Sequence, residues 1–317
     1  MKIDPKIRTD LALEARESFP EEGGEIPGVL LEETEEEETG IRITKVTIRN
    51  QKGAKAMGKP MGNYITLEAP ALAEPDEGYH REISEALAKE LTGLFKEQGW
   101  EEETGCSILV VGLGNSEVTS DSLGPLAVNN LHITRNISGE TGGYEISGIV
   151  PGVMAQTGME TAEILKGIVE ETYPDCLIVI DALAARSVAR LGTTIQLTDT
   201  GIQPGSGIGN YRSRLSEETL GVPVIAIGVP TVVSAATIVY DTVDALVETL
   251  KQEMAGSGMG EMVAEMSGEE KYRLITEILE PRVGPMFVTP KNIDETVKRL
   301  SYTISEGLNL AFQGAPA

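Results

Sequence analysis

Three uninterrupted apolar runs, each bounded by glycine, proline or polar residues, constrain the fold of this chain most strongly. They read "CSILVVGLGN" from Cys106, "CLIVIDALA" from Cys176 and "VPVIAIGVP" from Val222. Strands that are buried on both faces of a parallel sheet have this composition, because both faces carry apolar side chains. Segments of helical length separate the runs, and strands that alternate with helices indicate a layered fold. We therefore expect an α/β protein with a layered α/β/α core and a mainly parallel sheet, of the phosphorylase/hydrolase-like kind.

The part of the chain before this core differs in character. The first 40 residues are polar and end in the acidic run "LLEETEEEETG", which is typical of an exposed or mobile segment. Next, "IRITKVTIRN" and "YITLEAPAL" alternate apolar and polar residues around a stretch rich in turn formers, which predicts a β-hairpin or a pair of strands. Apolar residues at helical spacing then predict an amphipathic helix from Tyr79 to Gln98. We expect an acidic and β-hairpin segment at 11–78 and an α/β core at 79–317, with a flexible linker near 255–270.

Composition limits the classes of function. A net charge of −24, from 50 acidic against 26 basic residues, opposes close contact with the phosphates of nucleic acid. The sequence contains neither an apolar run of about 18 residues nor the apolar core of a secretory signal, so we expect a cytoplasmic protein without membrane contact. Its two cysteines each open an apolar run and are typical of buried thiols. With only His80 and His132, of which His132 is expected to be structural, a three-histidine zinc site is excluded.

The first candidate site follows the first apolar run, where "GLGNSEVTSDSLGP" carries Asn115, Glu117 and Asp121. Open parallel sheets place their sites at the carboxyl ends of strands, where loops and helix starts converge. A dinucleotide fingerprint would need a third glycine where Glu117 stands, and a carboxylate there would repel a pyrophosphate. We therefore interpret this loop as part of a catalytic cleft that holds no nucleotide.

The second candidate is Asp181, which follows five apolar residues and is expected to end that strand. Alone, such an aspartate could equally cap a helix or pair with Arg186. Together, Asp121 and Asp181 follow separate strands that can be neighbours, and their carboxyl groups could share a proton. One would then act as the general base on a water molecule, and the other as the general acid toward a leaving amine.

A third segment contains Asp199-Thr200-Gly201, the order found around the catalytic aspartate of pepsin-like proteases. Those enzymes need two such loops on an all-β framework, whereas this α/β chain has one copy. The stretch "DTGIQPGSGIGN" is typical of a long irregular loop over a site, so Asp199, Gly201 and Gly205 are expected to line the cleft and bind substrate backbone. Ser206 and the other loop serines have no histidine nearby in sequence, which disfavours a serine nucleophile.

Several motifs together closely resemble the germination proteases of spore-forming bacteria, over nearly the whole length. They are "IRTDLALEA", "VGLGNSEVTSDSLGP", "PGVMAQTGMET", "PDCLIVIDALAARSVARLGTTIQLTDTGIQPGSGIGN" and "LGVPVIAIGVPTVV". The resemblance implies an aspartic-type endopeptidase that is unrelated to pepsin in fold and more similar to the maturation peptidases of nickel-iron hydrogenases. It assigns the catalytic pair to Asp121 and Asp181. The histidine that holds nickel in the hydrogenase-type enzymes has no match here, so we expect neither a metal nor another cofactor.

The same resemblance implies a zymogen with a propeptide at residues 1–10, cut between Asp10 and Leu11. This acidic-then-aliphatic sequence is similar to the site cut in the substrates, which are small acid-soluble spore proteins in the forespore and spore core. Active members of the family are homotetramers. Two alternatives remain: a nickel-dependent maturation peptidase that acts on one large partner, and a non-catalytic protein that binds spore proteins.

Overall fold

The computed structural model describes residues 9–17, 26–100, 105–135, 143–207, 212–253, 268–283 and 286–313. The helices are α1 Ala12–Glu17, α2 Gln51–Met57, α3 Glu77–Glu97, α4 Leu123–Asn129, α5 Met154–Thr157, α6 Thr161–Thr172, α7 Glu217–Leu220, α8 Ala235–Glu253, α9 Gly268–Val283 and α10 Ile293–Gln313. The strands are β1 Val29–Glu35, β2 Arg42–Ile48, β3 Gly62–Glu68, β4 Ser107–Gly112, β5 Glu145–Ile149, β6 Cys176–Ala185, β7 Thr194–Thr198, β8 Val224–Ser234 and β9 Phe287–Val288.

All nine of these strands belong to one mixed sheet, with the order β1-β2-β3-β7-β8-β6-β4-β5 and with β9 paired to β8. The three apolar runs form β4, β6 and β8, and these strands pair in parallel with each other and with β5. The parallel α/β core expected from the sequence is therefore confirmed.

Helices cover both faces of this core, because successive side chains of a strand point to opposite faces. On one face, α3, α4 and α10 pack against a cluster that includes Ile108, Ile178 and Ile227. On the other face, α6 packs its Leu165 against Val111 and other residues of β4 and β6. The helix predicted at 79–98 is observed as α3, and Asp76 caps its start by accepting a hydrogen bond from the Tyr79 N–H.

The N-terminal strands extend the same sheet on its antiparallel side. Strand β7 pairs antiparallel with β8, and β3 pairs antiparallel with β7. Strand β2 then pairs antiparallel with β3, and β1 pairs antiparallel with β2 at the edge. The turn-rich stretch between β2 and β3 forms helix α2, because the Asn50 side chain accepts hydrogen bonds from Lys52 N and Gly53 N at its start. The acidic stretch expected to be exposed does lie at the surface, but its first half forms the edge strand β1.

Most of the linker predicted near 255–270 lies outside the described residues, and α9 begins at Gly268. Among the described helices, none combines the length and the apolar composition that crossing a lipid bilayer requires.

Candidate active site

The loop that carries Asp121 is fixed to the two strands beside it. Strands β4 and β6 are parallel neighbours, so their carboxyl ends lie at the same edge of the sheet. Directly after β4, the Leu113 N–H donates to the carbonyl of Ile180 at 2.8 Å, one residue before Asp181. A 3-10 turn follows at Thr119–Asp121, and the carbonyl of Ser120 in this turn accepts a hydrogen bond of 2.7 Å from the Thr231 hydroxyl on β8. These hydrogen bonds hold Asp121 at the edge of the sheet that is formed by the carboxyl ends of β4 and β6.

Two glycines permit this close approach. Gly114 has a φ of +111°, and a Cβ on it would lie 2.0 Å from the carbonyl oxygen of Asp121. A Cβ on Gly124, in the first turn of α4, would lie 2.5 Å from the carbonyl oxygen of Ile180. A side chain at Gly114 would collide with the backbone of Asp121, and one at Gly124 would collide with β6, so these glycines allow close backbone packing around Asp121.

Asp121 is half-buried and accepts a hydrogen bond of 2.8 Å from the Asn115 N–H. Burial raises the pKa of this carboxyl above its ordinary value, and the Asn115 N–H opposes the rise by stabilising the charged form. Helix α4 has Ser122 as its N-cap residue, so Asp121 does not cap that helix.

Asp181 is more deeply buried, with 7% of its surface exposed, and it accepts a hydrogen bond of 2.9 Å from the Ala182 N–H. Burial raises its pKa well above the ordinary value. The negative charges of Asp121 and Asp10 raise it further, and the Ala182 N–H opposes the rise. Asp181 therefore favours the protonated form under conditions in which an exposed aspartate is charged.

The expectation that Asp181 ends its strand is wrong. Strand β6 continues to Ala185, because it keeps pairing with β8 through a register shift between Leu183 and Ala184. The predicted partner Arg186 does not pair with it, and within the described part of the chain neither Asp121 nor Asp181 forms an ion pair. In this part of the chain, neither carboxyl group has a cation beside it, and the charge of Asp121 raises the pKa of Asp181, so the two groups interact electrostatically.

Asp10 and Leu11 contact the end of β6, and Asp10 is near enough to Asp181 for its charge to raise the pKa of that carboxyl group. The Asp10 N–H donates to the carbonyl of Ala184 at 3.2 Å, and the Asp10 carboxylate accepts a hydrogen bond of 3.0 Å from the Ala184 N–H. Leu11 is fully buried and packs against Leu183, Leu191 and Val233. The peptide bond between residues 10 and 11 is therefore fixed along the last residues of β6, a few residues beyond Asp181.

The other predicted cleft residues are divided between the loops. Asn115 orders the loop after β4, because its side-chain oxygen accepts hydrogen bonds from Glu117 N at 3.0 Å and Gln156 Nε2 at 2.8 Å. Glu117 itself is exposed. Gly201 has a φ of +71°, and a Cβ on it would lie 2.0 Å from the carbonyl oxygen of Leu215, so the loop backbone needs a glycine at this position. Gly205, in the same loop, has a φ of +72°.

Asp199 lies away from the carboxylate pair. Strand β7 runs antiparallel to β8, and its last residue Thr198 pairs with Ala226 near the start of β8, whereas Asp181 pairs with Gly228 further along. The Asp199 carboxylate accepts hydrogen bonds from Asn63 N at 2.8 Å and from Asn63 Nδ2 at 2.9 Å. These contacts connect the end of β7 to the start of β3.

Three residues that contact Asp10 were not predicted from the sequence in this role. Lys59 Nζ donates to the carbonyl oxygen of Asp10 at 2.7 Å, Gln196 Nε2 donates to the same oxygen at 3.3 Å, and the Ser206 hydroxyl donates to its carboxylate at 2.6 Å. A sequence signal exists only for Gln196, a long polar residue inside the otherwise apolar and β-branched strand β7. For Ser206 the sequence predicts no contact with Asp10, and it only disfavours a role as nucleophile.

The described residues include no group of three or more His, Cys, Asp or Glu side chains that could hold a metal ion. The His80 ring contacts the Thr303 hydroxyl on α10 and the carbonyl of Glu74, and neither of these contacts is with Asp121 or Asp181. His132 is exposed, and its N–H donates to Asn309 Oδ1.

Comparison with known proteins defines the class. A family model described as germination protease matches residues 8–261 and 252–315. The germination protease of Caldanaerobacter subterraneus is 50% identical over 97% of this chain and 94% of its own length. The germination protease of Clostridium tetani is 45% identical over 98% of this chain and 96% of its own length. The germination protease of Bacillus cytotoxicus is 43% identical over 96% of this chain and 93% of its own length. The chain is therefore a peptidase with an α/β fold.

More narrowly, the chain belongs to the germination protease family, as the sequence motifs predicted. Among solved structures, it is similar to a nickel-iron hydrogenase maturation protease from Thermococcus kodakarensis. That match has a TM-score of 0.33 and 16% sequence identity, and it covers 69% of this chain and 98% of that one.

Proposed function

We propose that this chain is an aspartic-type endopeptidase that starts the breakdown of small acid-soluble spore proteins, and that it is made as a zymogen that cuts itself between Asp10 and Leu11. The observation that carries the proposal is the electrostatic state of Asp181. It is a buried carboxyl whose pKa is raised by burial and by the charges of Asp121 and Asp10. The contacts of Asp10 and Leu11 with the last residues of β6, the strand that carries Asp181, also support the proposal.

In the proposed mechanism, the two catalytic carboxyl groups share one proton and hold one water molecule between them. The charged carboxylate takes a proton from the water, and the resulting hydroxide attacks the carbonyl carbon of residue 10. The protonated carboxyl then gives its proton to the nitrogen of residue 11 as the C–N bond breaks. Each carboxyl thus exchanges its role during one turnover, and no covalent intermediate with the enzyme forms.

The proposed setting is the cytoplasm of the forespore and the spore core, and the proposed assembly is a homotetramer. Both rest on the family relationship. The proposed substrates are proteins, and the acidic charge of this chain is consistent with substrates that reach the cleft after release from DNA.

The experiment compares Asp121→Asn and Asp181→Asn with the unmodified chain and with Asp175→Asn, a control at an exposed aspartate directly before β6. Mass spectrometry follows the appearance of the chain that begins at Leu11, and light scattering checks that the assembly persists. Loss of a general acid or base slows a reaction by about 100-fold to 10,000-fold, so both site variants should remain uncut while the control is processed. Processing of either site variant at the normal rate would disprove the paired role.

A further inference from the structure

The carbonyl oxygen of Asp10, which belongs to the candidate cut bond, accepts hydrogen bonds from two side chains. Lys59 Nζ donates to this oxygen at 2.7 Å, and Gln196 Nε2 donates to it at 3.3 Å. When water attacks the carbonyl carbon of a peptide bond, the carbonyl oxygen is the atom on which negative charge develops. Lys59 and Gln196 therefore lie where a peptidase needs hydrogen-bond donors.

Gln196 holds the main chain on both sides of the candidate bond. Its Oε1 accepts a hydrogen bond of 2.6 Å from the Ala12 N–H, while its Nε2 donates to the Asp10 oxygen. The Gln196 side chain is buried, with 6% of its surface exposed, so it is held in place by its surroundings. Both contacts are with main-chain atoms that every peptide possesses, so they can orient the bond whatever its side chains are.

Gln196 and Asp181 lie in one row across the sheet. Gly228 of β8 pairs with Gln196 of β7 on one side and with Asp181 of β6 on the other. Directly paired residues point to the same face of a sheet, and neighbouring strands are about 4.8 Å apart, so the main chains at 181 and 196 are about 10 Å apart. Ile180 and Ile195, one residue away in each strand, both belong to the cluster on the opposite face. The side chains of Asp181 and Gln196 can therefore approach one peptide group from two sides.

Lys59 adds a cationic donor to the same oxygen. Its side chain is half-buried, and burial lowers the pKa of its ammonium group, whereas the charge of Asp10 opposes that change. A hydrogen bond from a cation is stronger than one from a neutral group, and it is stronger again where water is excluded. The bond from Lys59 should therefore gain most when the Asp10 oxygen becomes negatively charged.

We propose that Lys59 and Gln196 are catalytic residues and form the oxyanion site of this peptidase. When the hydroxide attacks, the π electron pair of the carbonyl group moves to the oxygen of residue 10. The Lys59 ammonium and the Gln196 amide hold this charge by hydrogen bonds, and neither gives up a proton. The electron pair then returns to form the C=O bond, and the pair of the breaking C–N bond goes to the nitrogen of residue 11, which takes its proton from the protonated carboxyl.

The oxyanion site divides the work with Asp121 and Asp181. The proposed mechanism gives those two carboxyl groups one proton to donate, and the leaving nitrogen needs it. Without separate donors, the same proton would be drawn to the oxygen first. Lys59 and Gln196 leave it free for the nitrogen. The inference rests on the proposed cut between residues 10 and 11.

The first test follows self-processing of the full chain by mass spectrometry. Lys59→Met removes the charged donor and keeps the length of the side chain, and processing should slow by about 100-fold to 1,000-fold. Lys59→Arg keeps a charged donor and should be faster than Lys59→Met. Gln196→Met removes a neutral and longer hydrogen bond and should slow processing by about 10-fold. Lys55→Met, at an exposed lysine of α2, is the matched control and should process at the normal rate.

A purely structural role of the two side chains would loosen the segment around the cut site, and hydrogen exchange measures this. The substitutions are made in Asp181→Asn chains, which the proposed mechanism keeps uncut, and mass spectrometry follows the amides of residues 10–17. Their exchange should change far less than the processing rate, because Leu11 and Glu14 remain buried. If exchange rises by the same factor by which processing falls, the two side chains only position the segment, and the oxyanion assignment is wrong.

The second test changes the acceptor atom itself. Two peptides with the sequence of residues 5–20 differ only in that sulfur, a weak acceptor, replaces the carbonyl oxygen of residue 10 in one of them. In the processed enzyme, the preference for the oxygen peptide should be at least about 10-fold larger than in Lys59→Met enzyme obtained by prolonged processing, and the difference should appear in kcat. The Lys55→Met enzyme should keep the normal preference. An equal preference in all three enzymes would overturn the inference.

The two proposals can fail separately. If the unmodified chain cuts neither itself nor the oxygen peptide, the proposed function is wrong. If it cuts both, and Lys59→Met and Gln196→Met process at the normal rate, only the oxyanion assignment is wrong.

Discussion

Replacing Asp181 with asparagine should stabilise the folded protein at neutral pH while it removes activity. Asp181 is a buried carboxyl with a hydrogen bond from the Ala182 N–H and with two acidic neighbours. Burying its charge therefore costs free energy that an amide of the same shape does not cost. Groups that are needed for activity often destabilise the folded state. A substitution that removes activity and raises the free energy of unfolding would therefore indicate that Asp181 is such a group.

The size of the effect follows from linkage between pH and stability. The folded state keeps the Asp181 proton over a pH interval in which the unfolded chain has already lost it, because the pKa is raised on folding. Stability of the unmodified protein therefore falls as pH rises, from the unfolded pKa of about 3.9 up to the raised folded value. The Asp181→Asn variant has no carboxyl group at this position, so this fall in stability with rising pH is absent from it. The advantage of the variant should grow by about 1.4 kcal/mol for every pH unit within that interval, and then stay constant.

The assay is urea unfolding of both proteins, at one protein concentration, between about pH 5 and about pH 8. Mass spectrometry confirms that each chain is still uncut. The quantity of interest is the difference between the two unfolding free energies, since titrating groups that do not interact with Asp181 contribute equally to both. Asp175→Asn, at an exposed aspartate, controls for the change from carboxylate to amide. A difference that does not change with pH, or that falls as pH rises, would refute the account of Asp181.

Four further outcomes are expected. Self-processing should be first order, with a rate independent of protein concentration, because the candidate bond already lies along β6 of its own chain; light scattering and mass spectrometry at several dilutions measure this. Leu11→Ala should lower the free energy of unfolding of the uncut chain by about 2–5 kcal/mol in urea unfolding, since Leu11 is fully buried. Asp199→Ala should cost about 1–3 kcal/mol of stability by removing the acceptor of the Asn63 N–H and one acceptor of its side-chain amide, yet processing should continue. Prolonged treatment with a chelator, followed by dialysis, should leave the processing rate unchanged, whereas loss and recovery with nickel would favour the maturation-peptidase alternative.

Much of the core could be predicted because its physical signal is local. The runs that form β4, β6 and β8 are apolar on both faces, and only a parallel sheet covered by helices buries such strands. The sequence left open whether β4 and β6 are neighbours, and their observed pairing brings the loop of Asp121 to the strand of Asp181. The end of β6 was not predictable, because its extension to Ala185 depends on a register shift against β8.

The rest of the site depends on contacts between distant parts of the chain. Lys59 lies in a stretch that resembles an ordinary turn, and its role follows only from the position of Asp10 in the folded protein. Asp199 is a second example: its local sequence predicted a place in the cleft and gave no sign that its carboxylate accepts hydrogen bonds from Asn63, which depend on the antiparallel pairing of β7 with β3. Local patterns specify strands and helices, whereas the partners of a polar side chain depend on the topology of the sheet.

The rate of self-processing as a function of pH tests the paired role of Asp121 and Asp181 most directly. Purified uncut chain is transferred to buffers between about pH 5 and about pH 7.5, a range in which raised carboxyl groups titrate. If the two carboxyl groups hold a single proton in the active state, the rate should pass through a maximum and fall on both sides, with the limits set by the pair. A rate that is constant across this range would contradict the shared-proton mechanism.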